Sequence, residues 1–129
     1  VVPVTTVVVD IAIPATGLLT SSGALEVAGA NFTLAKAGTI ILEGQMDARM
    51  EAWDNYQAAP RRDGWNEIQG QFGNPRQEYP FGITRVTYTW RSAATAIGIG
   101  SYRARSFIEL QGGNQMRIYG GWLRCTWTG

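Results

Sequence analysis

The chain has 129 residues, of which 45% are hydrophobic and 16% charged, the size and make-up of one globular domain. A formal net charge of +1 leaves no dense basic stripe for a phosphate-driven nucleic-acid binder. With no histidine and one cysteine, Cys125, an intrachain disulfide, His-based catalysis and His metal sites are excluded, and no cofactor is expected.

The start, VVPVTTVVVDIAIP, is apolar but short, and Pro3 and Asp10 interrupt it. It reads as neither a signal peptide nor a membrane span. Residues 1–13 divide into an apolar arm and a first strand over residues 7–13, with Val7, Val9, Ile11 and Ile13 on one face. Residues 14–129 read as a single domain. Glycines 17, 23, 29 and 38 punctuate the next stretch, so two short strands are expected, at residues 25–27 and 32–35. Residues 39–53 alternate for longest. Ile40, Leu42, Met46, Ala48, Met50 and Ala52 share one face; Ile41, Glu43, Gln45, Asp47, Arg49 and Glu51 share the other.

Residues 54–82 break the pattern with three prolines and four glycines. A surface loop is expected there, with irregular strand around residues 65–71. Val86, Tyr88 and Trp90 then alternate, and Ile108 and Leu110 point inward. Gly112-Gly113-Asn114 and Gly120-Gly121 are both expected to form tight turns. Met116 and Ile118 face in between them. Leu123, Cys125 and Trp127 face in on the last strand, with Trp122, Arg124 and Thr126 outward. MDARMEAW also fits a helix, with Met46, Met50 and Trp53 on one side, but the unbroken alternation favours strand; eight or nine strands then read as an antiparallel β-sandwich or jelly roll.

Reactive chemistry is sparse. Glu43, Asp47 and Glu51 lie four residues apart on an outward strand face, where nearby arginines give them ordinary solvated partners; a glycosidase pair would need a pocket around it. Ser101 and Ser106 have no base, and GIGSY precedes no helix. No enzyme is expected. Cys125 reads as a small buried hydrophobe. The interrupted region instead gathers aromatics with arginines and amides, as sugar and protein binding sites do. Trp65, Arg61, Arg62, Tyr56, Asn66 and Tyr79 are the candidate binding residues, with Trp65 lifted to a loop tip by Asp63-Gly64. The competing reading makes these aromatics caps on the barrel.

The entry AGT into the long strand, and the ending SYRARSFIELQGGNQMRIYGGWLRCTWTG with Leu123, Trp127 and Gly129 spaced as L-x-x-x-W-x-G, resemble a TNF/C1q-type jelly roll. The resemblance covers residues 37–49 and 101–129. It implies a homotrimer packed about a threefold axis, with Trp122, Tyr119, Arg124 and Trp127 at the interface. Such domains serve as decoration, head-spike or fibre-tip modules of bacteriophages. A virion structural protein on the particle surface is therefore expected, contacting neighbouring virion proteins through its N-terminal segment and attaching to host glycans. The alternative is a free bacterial lectin of the same fold.

Overall fold

The computed structural model describes residues 2–20, 22–52, 62–80, 84–111 and 114–129. The elements are β1 (Thr5–Ile13), β2 (Leu18–Leu19), β3 (Gly23–Leu34), β4 (Gly38–Ala52), β5 (Arg62–Ile68), β6 (Phe72–Gly73), β7 (Gln77–Glu78), β8 (Val86–Arg91), β9 (Thr95–Ile97), β10 (Gly100–Leu110) and β11 (Gln115–Thr128). One sheet runs β1-β11-β4-β8, with β2 beside β11 and β9 beside β4; the other runs β3-β10-β5-β6, with β7 beside β5. All the pairings are antiparallel.

The partners are nested. β1 pairs with β11, β3 with β10, β4 with β8 and β5 with β6. A chain folded on itself as one long hairpin and then rolled into two sheets gives this order, which makes the sandwich a jelly roll. The outermost rung joins the two ends: Val4 N donates to Gly129 O at 3.0 Å, and Gly129 N to Val4 O at 3.1 Å.

The expected strand of residues 39–53 is β4, and Ile40, Leu42, Met46, Ala48 and Met50 are completely buried. Trp53 lies outside the described residues. The sandwich interior divides into two apolar clusters. One surrounds Leu42, Phe32, Ile68 and Leu123; the other surrounds Met46, Tyr79, Ile108 and Ile118.

A polar crosslink lies among the buried side chains. Ser106 Oγ donates to Asn66 Oδ1 at 2.6 Å, Asn66 Nδ2 to Asn74 Oδ1 at 2.9 Å, and Asn74 Nδ2 to Leu42 O at 3.3 Å. This chain ties β10 and β5 of one sheet to β4 of the other. It satisfies groups that would otherwise be buried unpaired. Gly44 makes room for it: a Cβ there would stand 2.3 Å from Asn66 Nδ2.

Three expectations are corrected. Residues 25–27 and 32–35 are not two strands, because β3 runs unbroken through Gly29. The start of the irregular region is regular: Asp63 and Gly64 are strand residues of β5, so Trp65 sits at no loop tip. The expected tight turn at Gly120-Gly121 is also absent. β10 and β11 belong to different sheets, and Gly120-Gly121 lies inside one continuous strand. Gly112 and Gly113 fall outside the described residues.

Candidate assembly face

β11 is the central strand of its sheet, between β1 and β4. Its inward residues change parity, from Met116 and Ile118 to Leu123 and Cys125, all fully buried. A strict two-residue period would put one of these pairs on the outside. The strand resolves the conflict with a bulge: Ile118 faces Ala48, but Gly120 faces Asp47, leaving Tyr119 as the extra residue. Gly120 adopts φ 149°, and a Cβ on Gly121 would lie 1.9 Å from Gln45 O. Glycine is required at this point by backbone angle at one position and by strand approach at the next.

The bulge sets what the outer face of this sheet presents. One row crosses four strands with alternating sign: Asp10 on β1, Arg124 on β11, Glu43 on β4, Arg91 on β8. Arg91 Nη1 lies 2.7 Å from Glu43 Oε2, and Arg124 Nε 3.7 Å from Asp10 Oδ1. The next row holds Trp122 and Gln45, with Trp122 Nε1 donating to Gln45 Oε1 at 3.1 Å and the Arg124 guanidinium 4.9 Å from the indole centroid. Tyr119 carries the guanidinium of Arg85 over its ring at 4.1 Å, and Arg85 Nε donates to Asp47 Oδ2 at 2.7 Å.

At the far end Arg49 and Arg117 are direct cross-strand partners, an unfavourable like-charge pair. Glu51 Oε1 neutralises both, accepting from Arg49 Nη2 at 2.7 Å and Arg117 Nε at 3.1 Å. The hydrogen bond from Arg49 is the main cause that holds the Glu51 carboxyl below its usual range. The side chains of Glu43, Asp47 and Glu51 are only 16%, 19% and 19% exposed. Asp47 Oδ1 is buried and has no hydrogen-bond partner among the described residues. The face is thus partly desolvated, aromatic at its centre and charge-alternating around it.

Three of the four expected interface residues, Tyr119, Trp122 and Arg124, lie together on this face. Trp127 does not join them. Its ring packs on the first apolar cluster, in the space left by Gly38 and Gly129. The expected binding residues do not come together as an open site. Asn66 and Tyr79 are fully buried; Tyr79 Oη donates to Met46 O at 2.9 Å, and burial drives its phenol far above the ordinary range. Arg62 is buried, with Nε donating to Tyr79 O. Trp65 is 8% exposed, stacked on Phe107 with centroids 5.3 Å apart and covered by the Arg76 guanidinium at 3.9 Å. Tyr56 and Arg61 lie outside the described residues.

Sequence reasoning placed the acids of the face but missed Arg85 and Arg91 as their partners. The signal was available: Glu43, Asp47 and Glu51 share the outward parity of one strand, and Arg85 and Arg91 share the outward parity of a second. Among the described residues no group of three or more His, Cys, Asp or Glu could hold a metal. No helix there is long and apolar enough to cross a membrane, which says nothing of β-barrels.

No protein-family model matches the chain, and no curated protein matches it. Among solved structures, a chain from the structure of infectious bursal disease virus, Gx strain, is similar at 10% identity and a TM-score of 0.44, covering 96% of this chain and 31% of that one. The present chain therefore spans about a third of that chain's length. At this identity and TM-score the likeness adds nothing to the strand order described above.

Proposed function

We propose that this jelly roll is a non-enzymatic structural protein of a virion. It is exposed on a phage or phage-like particle as a decoration, spike or fibre-tip module of TNF/C1q type, and it assembles as a homotrimer. The observation that carries the reading is the outer face of β1-β11-β4-β8. Its ion-paired side chains are partly desolvated, and Trp122 and Tyr119 stand in its middle. Its charges are already paired with one another within the protomer, so a neighbouring subunit can cover the face without burying an unpaired charge. Val2, Val4 and Val7 are 84%, 60% and 51% exposed. That apolar edge suits contact with a neighbouring virion protein, and pairing it removes an aggregation hazard.

Light scattering should give the mass of three chains, and Trp122→Ala or Arg85→Glu should return monomers that still melt cooperatively. A wild-type monomer at micromolar concentration would remove the assembly reading. The protein should also appear, by mass spectrometry, in purified particles of the virus that encodes it. Attachment to host-surface glycans belongs to the same proposal. Of the residues expected for it, Arg62, Trp65, Asn66 and Tyr79 are buried.

A further inference from the structure

A recess of about 510 Å³ opens on the other sheet, where β3, β10 and the turn after β5 meet. Its polar rim is built by register. Asn31 faces Arg103 and Thr33 faces Ser101 across β3 and β10, and Gln69 N donates to Arg103 O at 2.9 Å, holding the turn against β10. Phe32 and Tyr102, stacked at 5.5 Å, alternate with these rim residues and point into the first apolar cluster, so the floor between the rim side chains is strand backbone. The Tyr102 hydroxyl is already used, donating to Gly98 O at 2.8 Å.

The charge in the recess is cancelled within the protein. Arg103 Nε and Nη2 donate to the two oxygens of Glu26 at 2.9 and 2.8 Å. That hydrogen bonding is the main cause holding the Glu26 carboxyl below its usual range, so the pair persists at neutral pH. Arg103 Nη1 also donates to Asn31 Oδ1 at 3.1 Å. This contact turns the Asn31 amide so that its two N–H groups are left for another acceptor. Thr33 Oγ1 and Ser101 Oγ are 3.2 Å apart. One hydroxyl hydrogen serves that bond, and the other remains available. No hydrogen bond among the described residues occupies the exposed Gln69 amide. The rim therefore offers oriented donors and acceptors with no net charge.

We propose that this recess binds a neutral polyhydroxylated ligand, one or two sugar units of an uncharged glycan. Paired amides and hydroxyls answer the vicinal hydroxyls of a sugar, and the volume lies in the range of small-ligand sites. An acidic sugar is disfavoured because Glu26 already holds the only guanidinium lining the recess. This inference deepens the attachment half of the proposed function and is independent of the assembly half.

The test is an array carrying neutral glycans ending in galactose, glucose, mannose or fucose, beside sialylated and uronic-acid glycans. Positive neutral glycans would then be titrated into the wild type and into Asn31→Ala/Gln69→Ala. Retention of neutral glycans is expected, with affinity falling at least about tenfold in the double variant, the loss of one or two hydrogen bonds. Its melting temperature should not change, because both side chains are exposed. No retention of neutral glycans, retention of acidic ones alone, or affinity unaffected in the variant would each overturn the proposal. Mass measured on the same samples reports separately on assembly.

Discussion

At the scale of single residues, the crosslink through Asn66 carries a sharp expectation. Asn66→Ala strands Ser106 Oγ and Asn74 Oδ1 in the interior, so unfolding by denaturant should show a loss of about 1–3 kcal/mol. Cys125 is fully buried, and burial pushes its thiol up to about 12. The folded state then favours the neutral thiol. The corresponding stability is complete below the unfolded thiol pKa and is lost as pH rises through that value towards 12. Alkaline titration of melting temperature should therefore fall less steeply in Cys125→Ala, and native Cys125 should resist thiol reagents at neutral pH. The inward placement of Cys125 was legible, because it alternates with Leu123 and Trp127. The position of Trp65 was not. Asp63-Gly64 has the composition of a turn, but pairing with β10 holds both in a strand, and tertiary contact overrides local turn preference.

At the scale of elements, β4 could be read from its period alone, because its inner and outer faces differ in polarity along its whole length. β11 could not. The shift of parity between Ile118 and Leu123 is a real signal that two structures satisfy, a hairpin turn or a bulge. Only the partner strand decides between them, since β4 runs past the glycines without interruption. Two variants test this assignment. Deleting Tyr119 removes the extra residue and leaves a regular two-residue period in which Leu123 and Cys125 still face inward, so the variant should fold, as should Tyr119→Ala, whereas a hairpin at Gly120-Gly121 would be flipped by the deletion. Gly121→Ala forces a methyl group onto the Gln45 carbonyl and should lower stability by about 3 kcal/mol or more. Loss of the cooperative melt in the deletion variant would contradict the bulge.

At the scale of the molecule, the sandwich class was legible from strand spacing and turn residues, whereas the division of strands between sheets depended on long-range pairing. The outer face of β1-β11-β4-β8 responds to acid in a predictable direction. Arg49 is the main cause that lowers the Glu51 carboxyl. Its contribution is therefore fully present above the unfolded carboxylate pKa and is lost as pH falls through the lower folded value. Melting temperature and assembled mass should hold down to that range and then drop together, and Glu51→Gln should show the drop in mass already at neutral pH, with Arg49 and Arg117 left facing each other. The rung between Val4 and Gly129 has a mechanical meaning. Both ends leave from the same end of one antiparallel pair, so tension applied between them pulls on a single rung at a time, starting there and moving inward along β1. The pair peels like a zipper and does not resist in shear. In an optical trap held by its two ends, the protein should open at low force by releasing β1 first. Held by its N-terminus and by a residue in β8, it should withstand more, because the β1–β11 ladder is then loaded along its length.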